Sequence, residues 1–415
     1  MKLQFETLHA TNDDRTRMRS WFEAVRLGFH DARGTDECFD IWLTDQVTDE
    51  ATFRGVWDEG ASTEDVPVAT FASYRKTINL GAEIVDAHLI TDVTVRPTHR
   101  RQGILRRQMT DSLTEAHEAG LPLACLTVTE ATIYGRFGYA PATFKQDLEI
   151  DTSMRFQLRD QVGEDPGRVV MMDPVDALPL INTVFADFHA STTGSVERLN
   201  NYQRTLSGTW DYAEQAADKK LRSAVHHDAS GRPDGYVTYR FTGTKSLDIT
   251  GFVASNTRAH LALWSFLASI DLVESITMYG APLDDPLPWT MADRRGCRVK
   301  SQRDGVWFRV LDPIQMLQAR EWRADDEIVI KVNDPLGFSD GTFRITTSGQ
   351  RATVERTDGE AQLIMGVETL GALGVGGTRV NVLARARAIS GEADDLWRLA
   401  DMADLRRLPY SATDF

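Results

Sequence analysis

The alternation of hydrophobic and polar positions predicts a strand at residues 3–8. The apolar positions that follow recur every three or four residues, as on one face of a helix: Met18, Trp21, Phe22, Val25 and Phe29. Residues 67–78 and 83–95 predict two strands joined by a short turn. A helix after Gly103 and a continuous apolar run at residues 121–128, typical of a strand buried on both faces, complete a mixed α/β sheet.

The same order of elements recurs further along the chain. A strand at residues 168–173, a helix, two hairpin strands, a helix at 260–270 and a strand at 275–280 follow one another. Residues 305–312 resemble residues 144–151, which end the first set. We therefore expect one fold used twice.

From Pro313 the pattern changes. A helix is followed by strand-like segments that alternate with Asp-Gly and Ser-Gly turns. This predicts a third domain, of the α+β type.

Composition and charge narrow the class of protein. Acidic residues number 61 against 46 basic ones, a net charge of −15, which argues against nucleic-acid binding and favours a cationic partner or solubility alone. No apolar run approaches the roughly 20 residues of a membrane span, and no secretory signal begins the chain, so we expect a cytoplasmic protein. The 3 cysteines are far apart and form no CxxC pair. His226-His227 lacks a third ligand and residues 334–341 lack calcium-loop spacing, so we expect no metal.

The stretch VRPTHRRQGILRRQM, residues 95–109, concentrates positive charge in this acidic chain. Pro97 ends a strand, and Gly103, at the start of a helix, lets a ligand approach the backbone closely. The free amides of a helix start favour an anion, and Arg100 and Arg101 lie directly upstream. The order predicts a phosphate site, whereas Arg107 fits a solvated helix face.

The motif V-x-V-x-P-x-x-R-R-x-G-[IL]-L resembles the pyrophosphate-binding signature of the Gcn5-related N-acetyltransferases (GNATs), although Leu105 stands where Gly or Ala is usual. Together with TEATIYGRFGYAPAT, residues 129–143, it is similar to the Eis-like (enhanced intracellular survival) acetyltransferases. The resemblance implies tandem GNAT folds, the second degenerate, then a sterol-carrier-like α+β domain. It implies the boundaries 1–151, 152–312 and 313–415, acetyl-CoA as cosubstrate, and a homohexamer.

The resemblance also implies a set of site residues. Coenzyme contacts fall on Val93, Thr94, Val95, Arg101, Gln102, Gly103, Ile104, Leu105, Arg106, Thr129 and Glu130. Tyr134 would protonate the departing thiolate, since a phenol with a pKa of about 10 stays protonated at neutral pH. The base of the subfamily is the terminal carboxylate, here on Phe415, although the residues alone predict a frayed terminus. The positions assigned to the amine pocket are Phe29, Asp31, Trp42, Asp92 and Asp414, with Asp92 replacing a frequent aromatic residue.

The second fold lacks both of these motifs. Residues 256–264 read NTRAHLALW, without the glycine, and DDPLPW stands in place of IYGRFGY. We infer that residues 152–312 bind no coenzyme and act as scaffold or pocket wall. The implied function is acetyl-CoA-dependent N-acetylation of a cationic small molecule, aminoglycoside- or polyamine-like, or else of a protein lysine. The alternative is a carrier of apolar ligands with a vestigial acetyltransferase half.

Overall fold

The computed structural model describes residues 2–10, 14–60, 66–153, 156–159 and 166–415. Its strands form three mixed sheets covered by helices, which confirms the predicted α/β fold class.

The elements of residues 2–151 follow the predicted pattern, with a helix and a strand added at residues 36–58. They are β1 (Leu3–His9), α1 (Arg15–Gly28), α2 (Asp36–Thr48), β2 (Thr52–Asp58), β3 (Ala69–Asn79), β4 (Ile84–Val95), α3 (Ile104–Glu118), β5 (Leu123–Thr127), α4 (Ala131–Tyr134), β6 (Ala140–Pro141) and β7 (Phe144–Asp151). Asp14 caps α1 by accepting a hydrogen bond from the amide of Arg17 at 3.2 Å. The sequence Asn12-Asp13-Asp14 offers three capping side chains for this helix, of which Asn12 and Asp13 lie outside the described residues.

The rest of the chain supplies two further groups of elements. The first is β8 (Arg168–Met172), α5 (Pro174–Ser191), α6 (Asn201–Ser207), β9 (Arg222–His227), β10 (Pro233–Phe241), β11 (Ser246–Ala254), α7 (Thr257–Ala268), β12 (Ser275–Ala281), α8 (Leu287–Thr290), β13 (Cys297–Asp304) and β14 (Val306–Val310). The second is α9 (Pro313–Ala319), β15 (Glu327–Asn333), β16 (Gly341–Ser348), β17 (Arg351–Arg356), β18 (Leu363–Gly366), α10 (Val367–Leu373), α11 (Val380–Arg385), β19 (Ile389–Gly391) and α12 (Ala393–Ala403).

The first two sheets have the same topology and exchange one strand. The first has the order β1-β2-β3-β4-β5-β14-β6 and the second the order β13-β7-β12-β11-β10-β9-β8. In both sheets two neighbouring central strands are parallel, β4 with β5 and β11 with β12. Strand β14 pairs with β5 of the first sheet, while β7 pairs with β12 of the second. The predicted repeat of residues 144–151 at 305–312 therefore corresponds to two strands that have changed places. The exact domain boundaries stay predictions.

The third sheet, in the order β17-β16-β15-β18-β19, shares a hydrophobic core with the first. A buried ion pair adds to this junction: Arg309 on β14 donates two hydrogen bonds to the carboxylate of Asp334, at 2.8 and 2.7 Å. Asp334 opens the segment 334–341, and it also accepts a hydrogen bond from the amide of Ser339 at 2.8 Å. The carboxylate of this segment therefore joins two domains.

The sequence predicts neither a metal site nor a membrane span. Within the residues that the structure describes, no cluster of three or more His, Cys, Asp or Glu side chains is arranged to hold a metal ion. His226 lies on β9 and bonds through Nδ1 to Asp234 at 2.5 Å. The same ranges contain no helix that is both long and apolar enough to cross a bilayer.

Candidate active site

The first sheet opens between β4 and β5. Their parallel pairing ends at Ile90 and Leu126, but β4 continues to Val95. A bulge interrupts the pairing of β4 with β3 after Thr91, and Asp92 has a left-handed φ of 52°. The hydroxyl of Thr70 stabilises the bulge by donating to the carbonyl of Asp92 at 2.7 Å.

The two strands diverge beyond the bulge. In the described chain, Val93, Thr94 and Val95 have no strand partner on the β5 side. Their backbone groups on that edge can bind an extended ligand as a further strand would. These predicted coenzyme residues therefore share one open edge.

The loop after β4 presents free backbone amides at the start of α3. Gly103 caps the helix with a left-handed φ of 77°, and no side chain in the described part of the chain caps it. Among the described residues, the amides of Gly103 to Arg106 find no hydrogen-bond acceptor. An added Cβ at Gly103 would meet no atom of a described residue within 4 Å, so these residues leave the space in front of this turn open. The positive end of a helix and unpaired amides facing open space make an anion site.

The arginines beside this turn differ in their contacts. Arg100, Arg101 and Arg106 are exposed and form no ion pair within the described part of the chain, so their charges are available to a phosphate. Arg107 instead lies 3.9 Å from the ring centre of Phe5 and pairs with an aspartate of its own helix. The structure thus separates Arg107 from the predicted site, as expected.

The remaining residues of the predicted coenzyme motif divide between surface and core. Arg101 and Gln102 are exposed, whereas Ile104 is buried against strands β2 and β3 and Leu105 is partly buried beside β5. The latter two anchor the start of α3 rather than present side chains to solvent. The backbone amides of Ile104 and Leu105 still belong to the group, Gly103 to Arg106, that has no acceptor among the described residues.

Tyr134 lies at the end of α4, directly after β5. Its ring packs in the same cluster as Leu126 and Val93, on the α3 side of the sheet. Burial, together with the nearby charge of Glu130, raises the pKa of Tyr134 to about 12. Thr129 and Glu130 are exposed at the loop between β5 and α4. The phenol therefore remains protonated at physiological pH, at the mouth of the opening.

The chain terminus reaches this opening from the other face of the sheet. The hydroxyl of Thr127, the last residue of β5, donates a hydrogen bond to the terminal oxygen of Phe415 at 2.5 Å. Successive residues of a strand point to opposite faces, so Thr127 and Leu126 point to opposite sides. The ring of Phe415 packs against the core on the α1 side. The structure thus brings Phe415 and Tyr134 to opposite sides of one opening.

The segment after α1 lies beside the bulge. Gly28 packs so closely on Thr94 that an added Cβ would lie 2.5 Å from its methyl group. Phe29 and Asp31 follow in an exposed turn, and Gln215 of the second domain donates to the carbonyl of Arg33 at 3.0 Å. The second domain therefore contacts the segment that follows α1, and its role as a pocket wall stays a prediction.

Asp92 is the charged group nearest the bulge. Burial raises its pKa to about 6. Its charge in turn raises the pKa of the buried phenol of Tyr74, after the larger effect of burial itself. Tyr74 belongs to the core on the α1 side, so Asp92 lies on the same side as Phe415.

Trp42 and Asp414, which the sequence assigns to the amine pocket, make contacts within the protein. Trp42 is 9% exposed and its ring packs against those of Trp21, Phe22, Phe39 and Phe53. Asp414 accepts a hydrogen bond from Lys145 at 2.6 Å. The structure therefore puts Trp42 in the core under the pocket and engages Asp414 with a protein cation. A direct substrate contact by either stays a prediction.

The second sheet repeats the opening without its free amides. Parallel pairing of β11 with β12 ends at Ile249 and Met278, and β10 and β11 also contain a bulge. Here, however, Asn256 caps α7 by accepting from the amide of Ala259 at 3.0 Å. A side chain thus takes the place that an anion would occupy in the first domain.

Sequence reasoning missed Thr127, Lys145 and Tyr202, which contact the chain terminus. Lys145 and Tyr202 are far from Asp414 in sequence, and no motif marks them. A hydroxyl at the end of a buried strand is the only local signal, and it applies to Thr127 alone. All three become visible only when the path of the terminus is known.

The chain matches models of three families. An acetyltransferase (GNAT) domain matches residues 11–142, a second acetyltransferase (GNAT) domain matches residues 194–310, and a sterol carrier protein domain matches residues 314–412. These matches confirm tandem GNAT folds followed by a sterol-carrier-like domain. A GNAT fold implies the use of acetyl-CoA.

Relatives support the same assignment. An uncharacterized N-acetyltransferase of Streptomyces griseus is 32% identical over 380 residues, which are 88% of each chain. N-acetyltransferase Eis of Mycobacterium tuberculosis is 29% identical over 357 residues, 84% of this chain and 85% of that protein. The crystal structure of Eis1 from Mycobacterium abscessus superposes with a TM-score of 0.82 and 26% identity, covering 100% of both chains. The chain is therefore an N-acetyltransferase and belongs to the Eis-like family of GNAT enzymes.

Proposed function

We propose that this enzyme transfers the acetyl group of acetyl-CoA directly to an amine of a cationic small molecule, aminoglycoside- or polyamine-like. Tyr134 acts as general acid and the terminal carboxylate of Phe415 as general base. The observation that carries this proposal is the position of Phe415, whose terminal oxygen is bonded to Thr127 where β5 separates from β4. An ordinary chain end would be solvated and mobile.

The arrangement of the first domain suits the coenzyme. The free amides of Gly103 to Arg106, with the unpaired arginines beside them, would bind its pyrophosphate. The open edge of β4 at Val93 to Val95 would pair with the amides of its pantetheine arm. The side chain or backbone of Thr129 and Glu130 would complete this contact at the end of β5.

The two catalytic groups lie on the sides that direct transfer requires. The carboxylate of Phe415 takes a proton from the attacking amine, directly or through a water molecule, on the α1 side. The phenol of Tyr134 gives a proton to the departing thiolate on the α3 side. Because the pKa of Tyr134 is raised to about 12, the hydroxyl carries its proton over the whole physiological range.

A cationic acceptor fits the carboxylates of the pocket. Asp92 is mostly ionised at pH 7, since its pKa is about 6, and it lies on the same side as Phe415. Asp31 adds a further exposed carboxylate at the turn after α1. We infer that Phe29, Asp31 and Asp92 contact the acceptor. In the second domain a side chain caps helix α7, as we would expect of a vestigial site, whereas the start of α3 in the first domain has no such cap among the described residues.

The test is to move the terminal carboxylate without changing the rest of the chain. A glycine added after Phe415 should lower kcat at least 100-fold and leave the Kd for acetyl-CoA unchanged. Phe415→Leu is the matched control, because it keeps the carboxylate and an apolar side chain and should retain most activity. Full activity of the extended enzyme would refute the role of Phe415.

The acceptor class is tested separately. Thiol release from acetyl-CoA should be fastest with aminoglycosides or polyamines and slowest with lysine peptides, because two carboxylates favour a multiply charged substrate. A preference for the peptides would refute the small-molecule proposal. The homohexamer stays a prediction, to be checked by light scattering of the purified protein.

A further inference from the structure

The last residues of the chain are held by the second domain. The amide of Tyr410 donates to the carbonyl of Thr193 at 2.9 Å, and its hydroxyl donates to the carbonyl of Gly280 at 2.8 Å. The hydroxyl of Thr413 donates to the carbonyl of Val196 at 2.7 Å. These contacts guide the terminal segment between the first two sheets towards the opening of β4 and β5.

Asp414, the residue before the base, is contacted by two side chains. Lys145, on the exchanged strand β7, donates from Nζ to its carboxylate at 2.6 Å. The hydroxyl of Tyr202, on α6, accepts from the amide of Asp414 at 2.9 Å and lies 3.2 Å from its carbonyl oxygen. Both the side chain and the backbone of this residue are therefore fixed.

Lys145 is an unusual partner because its side chain is only 2% exposed, while that of Asp414 is 52% exposed. A buried ammonium is costly unless a counter-charge lies beside it. Without the terminal segment, Lys145 would lose the carboxylate that it donates to. The stability of the buried lysine and the position of the chain end are thus coupled.

We propose that Lys145 and Tyr202 are positioning residues for catalysis: they fix Asp414 so that the carboxylate of Phe415 stays at Thr127. This inference rests on the proposed role of Phe415 as base. It gives Asp414 the task of anchoring the chain end instead of binding substrate. It also gives the second domain, whose own site is capped, a part in the chemistry of the first.

The physical reason is conformational freedom. A terminal residue samples many backbone states, and ordering it costs free energy. Each hydrogen bond to Asp414 raises the fraction of time that the following carboxylate is in place. Losing one bond of this kind typically changes an equilibrium about ten-fold.

The experiment compares two tyrosines that contact the same segment. Tyr202→Phe removes only the hydroxyl at Asp414 and should lower kcat about ten-fold, with KM for acetyl-CoA unchanged. Tyr410→Phe removes one equally simple hydrogen bond further from the terminus and should leave kcat within about two-fold. Lys145→Met should lower kcat at least as much as Tyr202→Phe. An equal loss in both tyrosine variants would overturn the inference, because the effect would then belong to the whole segment.

A second background separates this inference from the proposed function. In the chain extended by one glycine, the base is already displaced, so Tyr202→Phe should not lower the residual rate further. The same ten-fold loss in both backgrounds would indicate a structural role and overturn the inference. A normal kcat for both Tyr202→Phe and Lys145→Met, with an inactive extended chain, would leave Phe415 as base and refute the positioning role. A fully active extended chain would refute the base itself.

Discussion

Asp92→Asn removes the partly buried carboxylate at the β4 bulge while keeping the shape of the side chain. The pKa of Asp92 is raised by burial from an ordinary 3.8 to about 6. The ionised form therefore destabilises the folded protein, and the effect grows as the pH rises from about 4 and is complete above about 6.5. Well below the ordinary pKa of 3.8 the carboxyl is protonated in both folded and unfolded chains and no penalty remains.

The size of the effect follows from the shift. If Asp92 were fully sealed from water, this change of pKa would lower the free energy of unfolding by about 3 kcal/mol at pH 8. Because part of the Asp92 surface is accessible, solvent reduces this ceiling, and we expect about 1 kcal/mol. For a chain of this length that corresponds to about 2 °C in Tm.

Thermal unfolding of both proteins between pH 4 and pH 8 measures the effect. Asp92→Asn should melt about 2 °C above the wild type at pH 8, and the difference should shrink to a small fraction of that at pH 4. Asp86→Asn is the matched control on the same strand, since that carboxylate is half-exposed and paired with Arg75. A difference in Tm that is constant with pH, or a wild type that is more stable at pH 8, would refute the reasoning. The variant should also raise the KM for a cationic acceptor but not for acetyl-CoA.

Three further changes test other features. Gly103→Val should raise the KM for acetyl-CoA about ten-fold with little change in Tm, because strain at a φ of 77° distorts the free amides. Gly103→Asn should change KM less, because asparagine tolerates a left-handed conformation. An unchanged KM in the valine variant would contradict the anion site. Tyr134→Phe should lower kcat about 100-fold at constant KM for acetyl-CoA, and a normal kcat would exclude Tyr134 as the acid. Arg309→Met should destabilise the protein by about 3–5 kcal/mol in urea unfolding, since it leaves Asp334 buried without its partner. The double variant Arg309→Met/Asp334→Asn should recover part of that loss, and equal losses would indicate that the pair is not coupled.

Local patterns predicted the features that depend on neighbouring residues. The strand, turn and helix around Gly103 are adjacent in sequence, so a single motif determines the free amides and the open edge of β4. The repeated order of elements likewise predicted two sheets of the same topology. Residues 36–58 were missed as helix and strand. In that helix the buried residues Phe39, Trp42 and Leu43 are interrupted by buried Asp45 and Gln46, which weakens the amphipathic pattern.

Non-local features could not be predicted from the residues themselves. Residues 144–151 could pair with β5 or with β12, because both pairings suit the alternation of apolar and polar residues in this strand. The position of Phe415 came from resemblance, since a free carboxyl group at a chain end carries no pattern. Lys145 lies in an alternating strand where no local pattern marks it, and its carboxylate partner is Asp414, 269 residues away. These contacts are decided by tertiary packing.

The strand exchange has a consequence for how the enzyme is made and how it can change. A fragment ending after residue 151 would lack β14, the neighbour of β5, and would present β7 without the sheet that receives it. Neither sheet can close before the ribosome has delivered most of the other, so assembly must wait for contacts between distant parts of the chain. Deleting the second GNAT copy would remove β14 from the first sheet, and this interlocking gives a reason for a lineage to keep a domain whose helix α7 is capped by a side chain.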